Sequence, residues 1–392
     1  MANNKQTIDE IEAILDEFAG DIFLQKQNLV GYPVNQKSKL IEFYRWLSGS
    51  GLNLVMSNNV GDPFIGHSHY LLNTQRFEKE ALEMMGPLYG FDLDELWGII
   101  TFSGTDGNNH GIYFGANSLI KKTKQRPVVY VSTEAHYSNK RLADLQNLET
   151  KLIPADINGC MMPEELEKAI VPDKPALVVY AIGTTFKGGV DNMDELNAVF
   201  AKYPNIQVYR HLDAALFGGY LPYSEYKDYI NRKVHPFDSI AISGHKFFGM
   251  DEPAGFYITS KEVLKNQNPN NVPYLDCDMP MINCSRSSLS PLKLWWILKH
   301  TSKEDFIEQT SIMMENAKWL KHEFEKLNWP VWLQPMSNTV YFAQPPEAIV
   351  NKYGLAPDYD ERLGGPLAHV VVMQHTSKEL LQKFLDDLKA SI

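Results

Sequence analysis

Apolar positions along the chain change their spacing twice. Over residues 7–29 they recur at helical intervals (Ile8, Ile11, Ile14, Leu15, Phe18), which predicts a helix. The stretch "VGYPVN" ends it, because Pro33 cannot continue a helix. "SKLIEFYRWLS" (38–48) predicts a second helix, and "NTQRFEKEALEMMGPLY" (73–89) a third with Phe77, Ala81, Leu82 and Met85 on one face. The middle of the chain then carries short apolar runs of strand length. These are "WGIITF" (97–102), "PVVYVS" (127–132), "ALVVYAIG" (176–183), "IQVYRHLD" (206–213), "SIAIS" (239–243) and "GFYITS" (255–260). Several are apolar at consecutive positions, as in strands buried on both faces. Helical segments lie between them, for example "PEELEKAI" (163–170) and "MDELNAVFAKY" (193–203). Strands alternating with helices predict an α/β fold with a mostly parallel, helix-covered sheet. After about residue 290 the order becomes two long helices, three strand candidates ("VWLQ", "TVYFAQ", "AHVVVM") and a closing amphipathic helix, which predicts a smaller α+β domain. The expected division is an N-terminal helical segment 1–55, a large α/β domain 56–290 and a small domain 291–392, with the helix around 303–327 joining the two domains.

Composition adds exclusions more than identity. The chain has 392 residues, of which 44% are hydrophobic and 22% charged, an ordinary globular balance. Its 37 Lys and Arg against 48 Asp and Glu give a net charge of -11. Nucleic acid or an anionic membrane as main partner needs a basic surface instead. Cys160, Cys277 and Cys284 form neither a CxxC pair nor an even set, so no metal site or disulfide framework is expected. A reducing, cytoplasmic setting is expected. The acidic, amphipathic start is not of signal-peptide type, and no window reaches the ~18 apolar residues of a membrane span.

Chemistry enters at the strand ends, because ligand sites in open α/β sheets lie outside the carboxyl ends of the strands. The run "SIAIS" leads into Gly244, His245, Lys246 and two phenylalanines. A lysine there either reaches water or is used covalently, as an imine to an aldehyde. "WGIITF" is followed by "SGTDGNNHG", whose backbone N–H groups could face an anion at a helix start. "PVVYVS" is followed by Glu134, His136 and Ser138, and "ALVVYAIG" by Thr184 and Thr185. Asp213 ends "IQVYRHLD"; alone it would be a cap or a solvated charge. Together, a phosphate cradle, a carboxylate for a ring nitrogen and an imine-forming lysine are the parts that hold pyridoxal phosphate.

At these residues the sequence resembles a known family. "SGHKFFG", "HLDAALFGGYLP", "IGTTFKGGVDN", "EAHYS" and "SGTDGN" are similar to motifs of the group II pyridoxal-phosphate-dependent amino acid decarboxylases, nearest the bacterial histidine decarboxylases and plant serine decarboxylases. "VGYPVN", "NNVGDPFI", "RFEKE" and "AHVVVMQH" extend the resemblance from about residue 30 to the end. It implies the type I, aspartate aminotransferase-like fold, with a large, mostly parallel seven-stranded sheet, and a homodimer. It implies pyridoxal 5'-phosphate bound to Lys246, with Asp213 at its ring nitrogen and His136 stacked on one face. Ala215 would pack on the other face, Thr185 would lie near Asp213, and Ser103, Gly104, Thr105, Ser243 and His245 would hold the phosphate. The implied activity is decarboxylation of an amino acid, with Lys246, His136 and Asp213 as catalytic residues.

The chain departs from these relatives at "MDEPAG" (250–255) and "CSRSSLSP" (284–291). Asp251 and Glu252 would either face solvent or favour a cationic substrate side chain. Asp106 stands where the relatives have Glu, and His67 and His69 lie where they have other residues. Tyr32, His69 and Arg286 are the candidate substrate residues. Histidine is placed slightly ahead of serine as substrate. A decarboxylation-linked oxidative deaminase and a non-catalytic protein on the same fold are the competing readings.

Overall fold

The computed structural model describes residues 6–65, 70–267, 270–273 and 277–391. Its main sheet has seven strands: β1 (Leu96–Thr101), β2 (Val128–Ser132), β3 (Glu149–Ile153), β4 (Ala176–Ala181), β5 (Val208–Asp213), β6 (Ser239–Ser243) and β7 (Gly255–Ser260). They run in the order β1-β7-β6-β5-β4-β2-β3. Neighbours from β6 through β3 pair in parallel, and β7 lies antiparallel between β6 and β1. The consecutive apolar runs have the expected cause. In β4, Val178 and Tyr180 enter one core cluster while Leu177 and Val179 enter the other, so both faces are covered.

One strand of this sheet, β3, is not predicted by the apolar pattern. Its sequence "ETKLI" has no apolar run, because it sits at the sheet edge with only Ile153 buried. Helices α1 (Ile8–Lys26), α2 (Ile41–Ser50) and α3 (Gln75–Met85) precede this sheet, and α4 (Gly104–Thr123) follows its first strand. Helix α4 packs on β5, β6 and β7 and presses close to them. A Cβ at Gly111 would lie 2.2 Å from the His211 ring, and one at Gly115 2.5 Å from Tyr209. Part of the glycine content of "SGTDGNNHG" therefore serves helix-to-sheet packing.

The later strands are a short ribbon of β8 (Asn270–Val272) and β9 (Cys277–Met279), then β10 (Val331–Leu333), β11 (Thr339–Ala343), β12 (Ala356–Asp360) and β13 (Gly365–Val371). The last four form an antiparallel sheet in the order β10-β11-β13-β12. Strand β12, "APDYD", reads as a loop because of Pro357; at an edge the missing N–H costs little. Helices Lys303–Lys326 and Lys378–Ala390 supply Leu320, Phe324, Phe384 and Leu388 to the core of this unit, with Val340, Phe342 and Val370 from the sheet.

Residues 29–36 strap this unit to the main sheet. Val30 bonds the backbone of Tyr353 and Val371, and His369 bridges the carbonyls of Phe186 and Gly31 at 2.9 and 3.1 Å. Helix α1 buries no residue in this chain, although its Thr7–Glu10 capping box is complete. Ile8, Ile11, Ile14, Leu15 and Phe18 are all exposed.

Candidate functional site

Lys246 lies in the turn after β6 and lines a cavity with His136, Thr184, Thr185, Asp213 and Ala215. The aromatic pair that follows it explains its placement. Phe247 and Phe248 are buried among Tyr220, Tyr223 and Phe306, so the turn is anchored from below. Gly249, at φ +73°, ends the turn in a conformation few other residues adopt. Desolvation pushes the Lys246 amine below its usual value of 10.5, and the Asp213 carboxylate opposes that shift.

Asp213 is buried at the end of β5. Its Oδ2 accepts a hydrogen bond from Asn139 Nδ2 at 2.7 Å. His136 follows β2 and is fixed by its Nδ1 contact to Ser138 Oγ, 2.7 Å. Burial lowers the imidazole below its ordinary 6.5; Asp213 raises it and Lys246 lowers it further. Thr185 is exposed to the cavity, whereas Thr184 accepts an N–H bond from Gly189 at 2.9 Å and holds the loop.

The residues expected at the phosphate, Ser103, Gly104, Thr105, Ser243 and His245, do not line this cavity but come from elements that converge beside its Ala215. Ser103 caps α4, accepting from the Asp106 N–H at 3.2 Å. A Cβ on Gly104 would lie 2.4 Å from Ser243 Oγ and 3.5 Å from the Ala215 Cβ. The start of a 20-residue helix, the end of β6 and the turn after β5 therefore meet at a point that only glycine permits. Thr105 is exposed at this helix start. His245 sits beside the cradle with its Nδ1 3.0 Å from the Ala254 carbonyl oxygen. A capped helix start, a hydroxyl beside it and a desolvated amine fit a phosphorylated aldehyde.

The proposed substrate residues fare differently. Arg286 is withdrawn from the cavity. It is buried in an ion pair with the fully buried Glu78 and donates to the carbonyls of Gly61 (3.0 Å) and Ile100 (3.3 Å). Tyr32 is half exposed and does not line the cavity; its neighbour Pro33 does. His67 and His69 lie outside the described residues. Asp251 is exposed and Glu252 partly so, and neither faces the cavity. Both pair with the buried Lys293, at 3.0 and 3.2 Å, and Ser290 Oγ donates to Glu252 at 3.1 Å. The two divergent segments thus touch each other. Asp106 is held by the Phe102 N–H and by Asn283 Nδ2, at 3.0 and 2.8 Å.

Sequence reasoning missed Asn139, Lys187 and the cavity-lining Thr339 and Val371 of the second sheet. Thr339 and Val371 lie in strands far along the chain, and only the pairing of β11 with β13 brings them together. Lys187 is buried and pairs with Glu134 and Asp360, at 3.1 and 2.6 Å, which ties the loops bearing His136 and Thr185 to β12.

A family model described as the pyridoxal-dependent decarboxylase conserved domain matches residues 116–335. The chain belongs to the pyridoxal-dependent decarboxylases. It is 30% identical over 390 residues to a histidine decarboxylase of Solanum lycopersicum, covering 98% of this chain and 90% of that protein. It is 32% identical over 381 residues to serine decarboxylase 1 of Oryza sativa subsp. japonica, covering 94% and 75%. Among solved structures it resembles an L-methionine decarboxylase of Streptomyces sp. 590, with TM-score 0.85, 21% identity and coverage of 100% and 96%. That likeness supports the type I fold. The protein is thus a pyridoxal-phosphate-dependent carboxy-lyase acting on an amino acid. Among the described residues, no helix is long and apolar enough to cross a membrane, and no cluster of His, Cys, Asp or Glu could hold a metal ion.

Proposed function

We propose that this decarboxylase converts L-histidine to histamine and CO2. The observation that carries this reading is the charge inventory of the cavity. Among the described residues lining it, Lys246 and Asp213 are the only Lys, Arg, Asp or Glu, and both are committed to the cofactor. Among the described residues no charged partner remains for an acidic or strongly basic substrate side chain, which would have to be desolvated unpaired. The acidic residues 251 and 252 do not line the cavity and share Lys293 as their cation. An uncharged polar side chain suits the remaining wall of Thr184, Thr185 and Thr339 beside Pro33, Phe217 and Val371. The near-full-length similarity to a histidine decarboxylase favours an imidazole. Serine is the second reading, favoured by the 32% identity to the rice serine decarboxylase.

In this reading Ser103, Gly104, Thr105, Ser243 and His245 hold the cofactor phosphate. When bound, the cofactor supplies the electron-withdrawing ring that stabilises charge left at Cα when the carboxylate departs. The rest is the work of this chain. Burial leaves the Lys246 amine more readily neutral, which is the form that attacks a carbonyl. Asp213 holds a proton at the ring nitrogen. The neutral His136 ring covers one face and Ala215 the other, so water is excluded from the reacting carbon. A homodimer in a cytoplasmic setting completes the proposal, supported by the uncovered apolar side of α1 and by the family's usual assembly.

The test is a panel of amino acids incubated with cofactor-loaded protein, quantifying CO2, amine, aldehyde, ammonia and peroxide, with Lys246→Ala in parallel. Histidine should give CO2 and histamine in equal amounts, absent in the variant. Turnover of serine alone would transfer the assignment to the second reading. Aldehyde with ammonia and peroxide would mark an oxidative outcome instead.

A further inference from the structure

Asn139 is the second residue of the helix Ser138–Leu145 and its side chain is completely buried. An amide is an unfavourable choice for such a position, since every unpaired polar atom left there carries a desolvation cost. Here the cost is in fact incurred: Asn139 Oδ1 has no hydrogen-bond partner among the described residues. An apolar residue of similar volume would avoid it. The other half of the amide shows what the position gains. Nδ2 donates to Asp213 Oδ2 at 2.7 Å, and among the described residues this is the one hydrogen bond the Asp213 carboxylate accepts.

The orientation is also determined. Turned over, the amide would set Oδ1 against Oδ2, acceptor against acceptor. The same turn fixes the imidazole. Asn139 N–H donates to the His136 carbonyl at 3.0 Å, and Ser138 Oγ contacts His136 Nδ1. One short turn therefore holds both the ring expected over the cofactor and the carboxylate expected at its nitrogen.

We infer that Asn139 is a positioning residue for the reaction, acting through Asp213: its N–H fixes one carboxylate oxygen so that the group is presented to the cofactor's ring nitrogen. An amide suits this task because it donates to a carboxylate and cannot take a proton from it. The inference rests on the pairing of Asp213 with that nitrogen proposed above.

The test compares two cofactors in the wild type, Asn139→Leu and Asn139→Ala. One is pyridoxal phosphate and the other its 1-deaza analogue, in which carbon replaces the ring nitrogen. Dissociation constants come from quenching of tryptophan fluorescence in the initially cofactor-free proteins, with circular dichroism reporting the fold. Asn139→Leu should weaken pyridoxal phosphate about tenfold, within the range of one lost charge-assisted hydrogen bond, and the deaza analogue less than about twofold. Should the leucine variant misfold, the alanine variant carries the same expectation. Equal weakening of both ligands, or of neither, would overturn the role of Asn139 and reduce it to packing. A wild type that binds both ligands equally would overturn the Asp213 pairing itself, and with it the inference.

Discussion

Removing the Lys187 ammonium should loosen the second sheet from the main one. The side chain is only 1% exposed and lies between Glu134 of the His136 loop and Asp360 of β12. Taking one partner from a buried ion pair costs ~3–5 kcal/mol, because the remaining charge is left desolvated. Two features reduce that figure here. Asp360 keeps a second cation, with Arg362 Nη2 at 2.7 Å, and Glu134 is 23% exposed and can recruit water. Lys187→Met should therefore destabilise the protein by ~2–3 kcal/mol, and the double variant with Asp360→Asn by less than the sum of the two singles. Arg362, then Lys187, hold the Asp360 carboxyl well below the usual carboxylate range. A depressed folded-state value means stability present above the ordinary value of ~3.9 and lost as the pH falls through the folded one. The difference between wild type and Lys187→Met should accordingly be complete at neutral pH and shrink below about pH 4. Urea unfolding of the cofactor-free proteins, followed together by tryptophan fluorescence and far-UV circular dichroism, measures both. A loss under ~0.5 kcal/mol at pH 7, the scale of an ordinary surface change, would refute the latch. So would a difference that persists unchanged in acid.

Arg286→Met should cost ~3–5 kcal/mol, since Glu78 is fully buried and loses its cation; Glu78→Gln in the same chain should recover part of it in a urea titration. Gly104→Ala should weaken the cofactor at least about tenfold, because the added Cβ would crowd Ser243 Oγ and force the helix start away from β6, as a fluorescence titration would read. Burial lowers the His136 imidazole below 6.5, so protonation comes only on further acidification; kcat should hold down to that pH, fall below it, and lose that limb in His136→Gln.

The main sheet could be read from the chain because a strand buried on both faces must be apolar at successive positions, as β4 and β6 are. The unforeseen strands β3 and β12 lie at sheet edges and are largely uncovered, with one and no residue buried respectively, and an edge tolerates proline, so neither carries that signature. The strand-end residues Asp213, His136 and Lys246 were legible because topology alone brings the carboxyl ends of parallel strands together. Arg286 misled, since an arginine's partner is set by tertiary contacts that leave no local mark; its partner, Glu78, lies 208 positions away. The same is true of Asp251 and Glu252, whose shared cation Lys293 comes from the helix Leu289–His300. Asn139 was invisible for a further reason: an asparagine at the start of a helix looks like solvent-facing polarity until its burial is known.

Lys246 is the residue proposed to carry the cofactor. Borohydride reduction of the loaded protein, followed by peptide mapping, tests it most directly. A single phosphopyridoxyl group on the peptide containing Lys246, absent when Lys246 is replaced by alanine, is the predicted result. A label on another lysine, or none under conditions where the cofactor is bound, would contradict it.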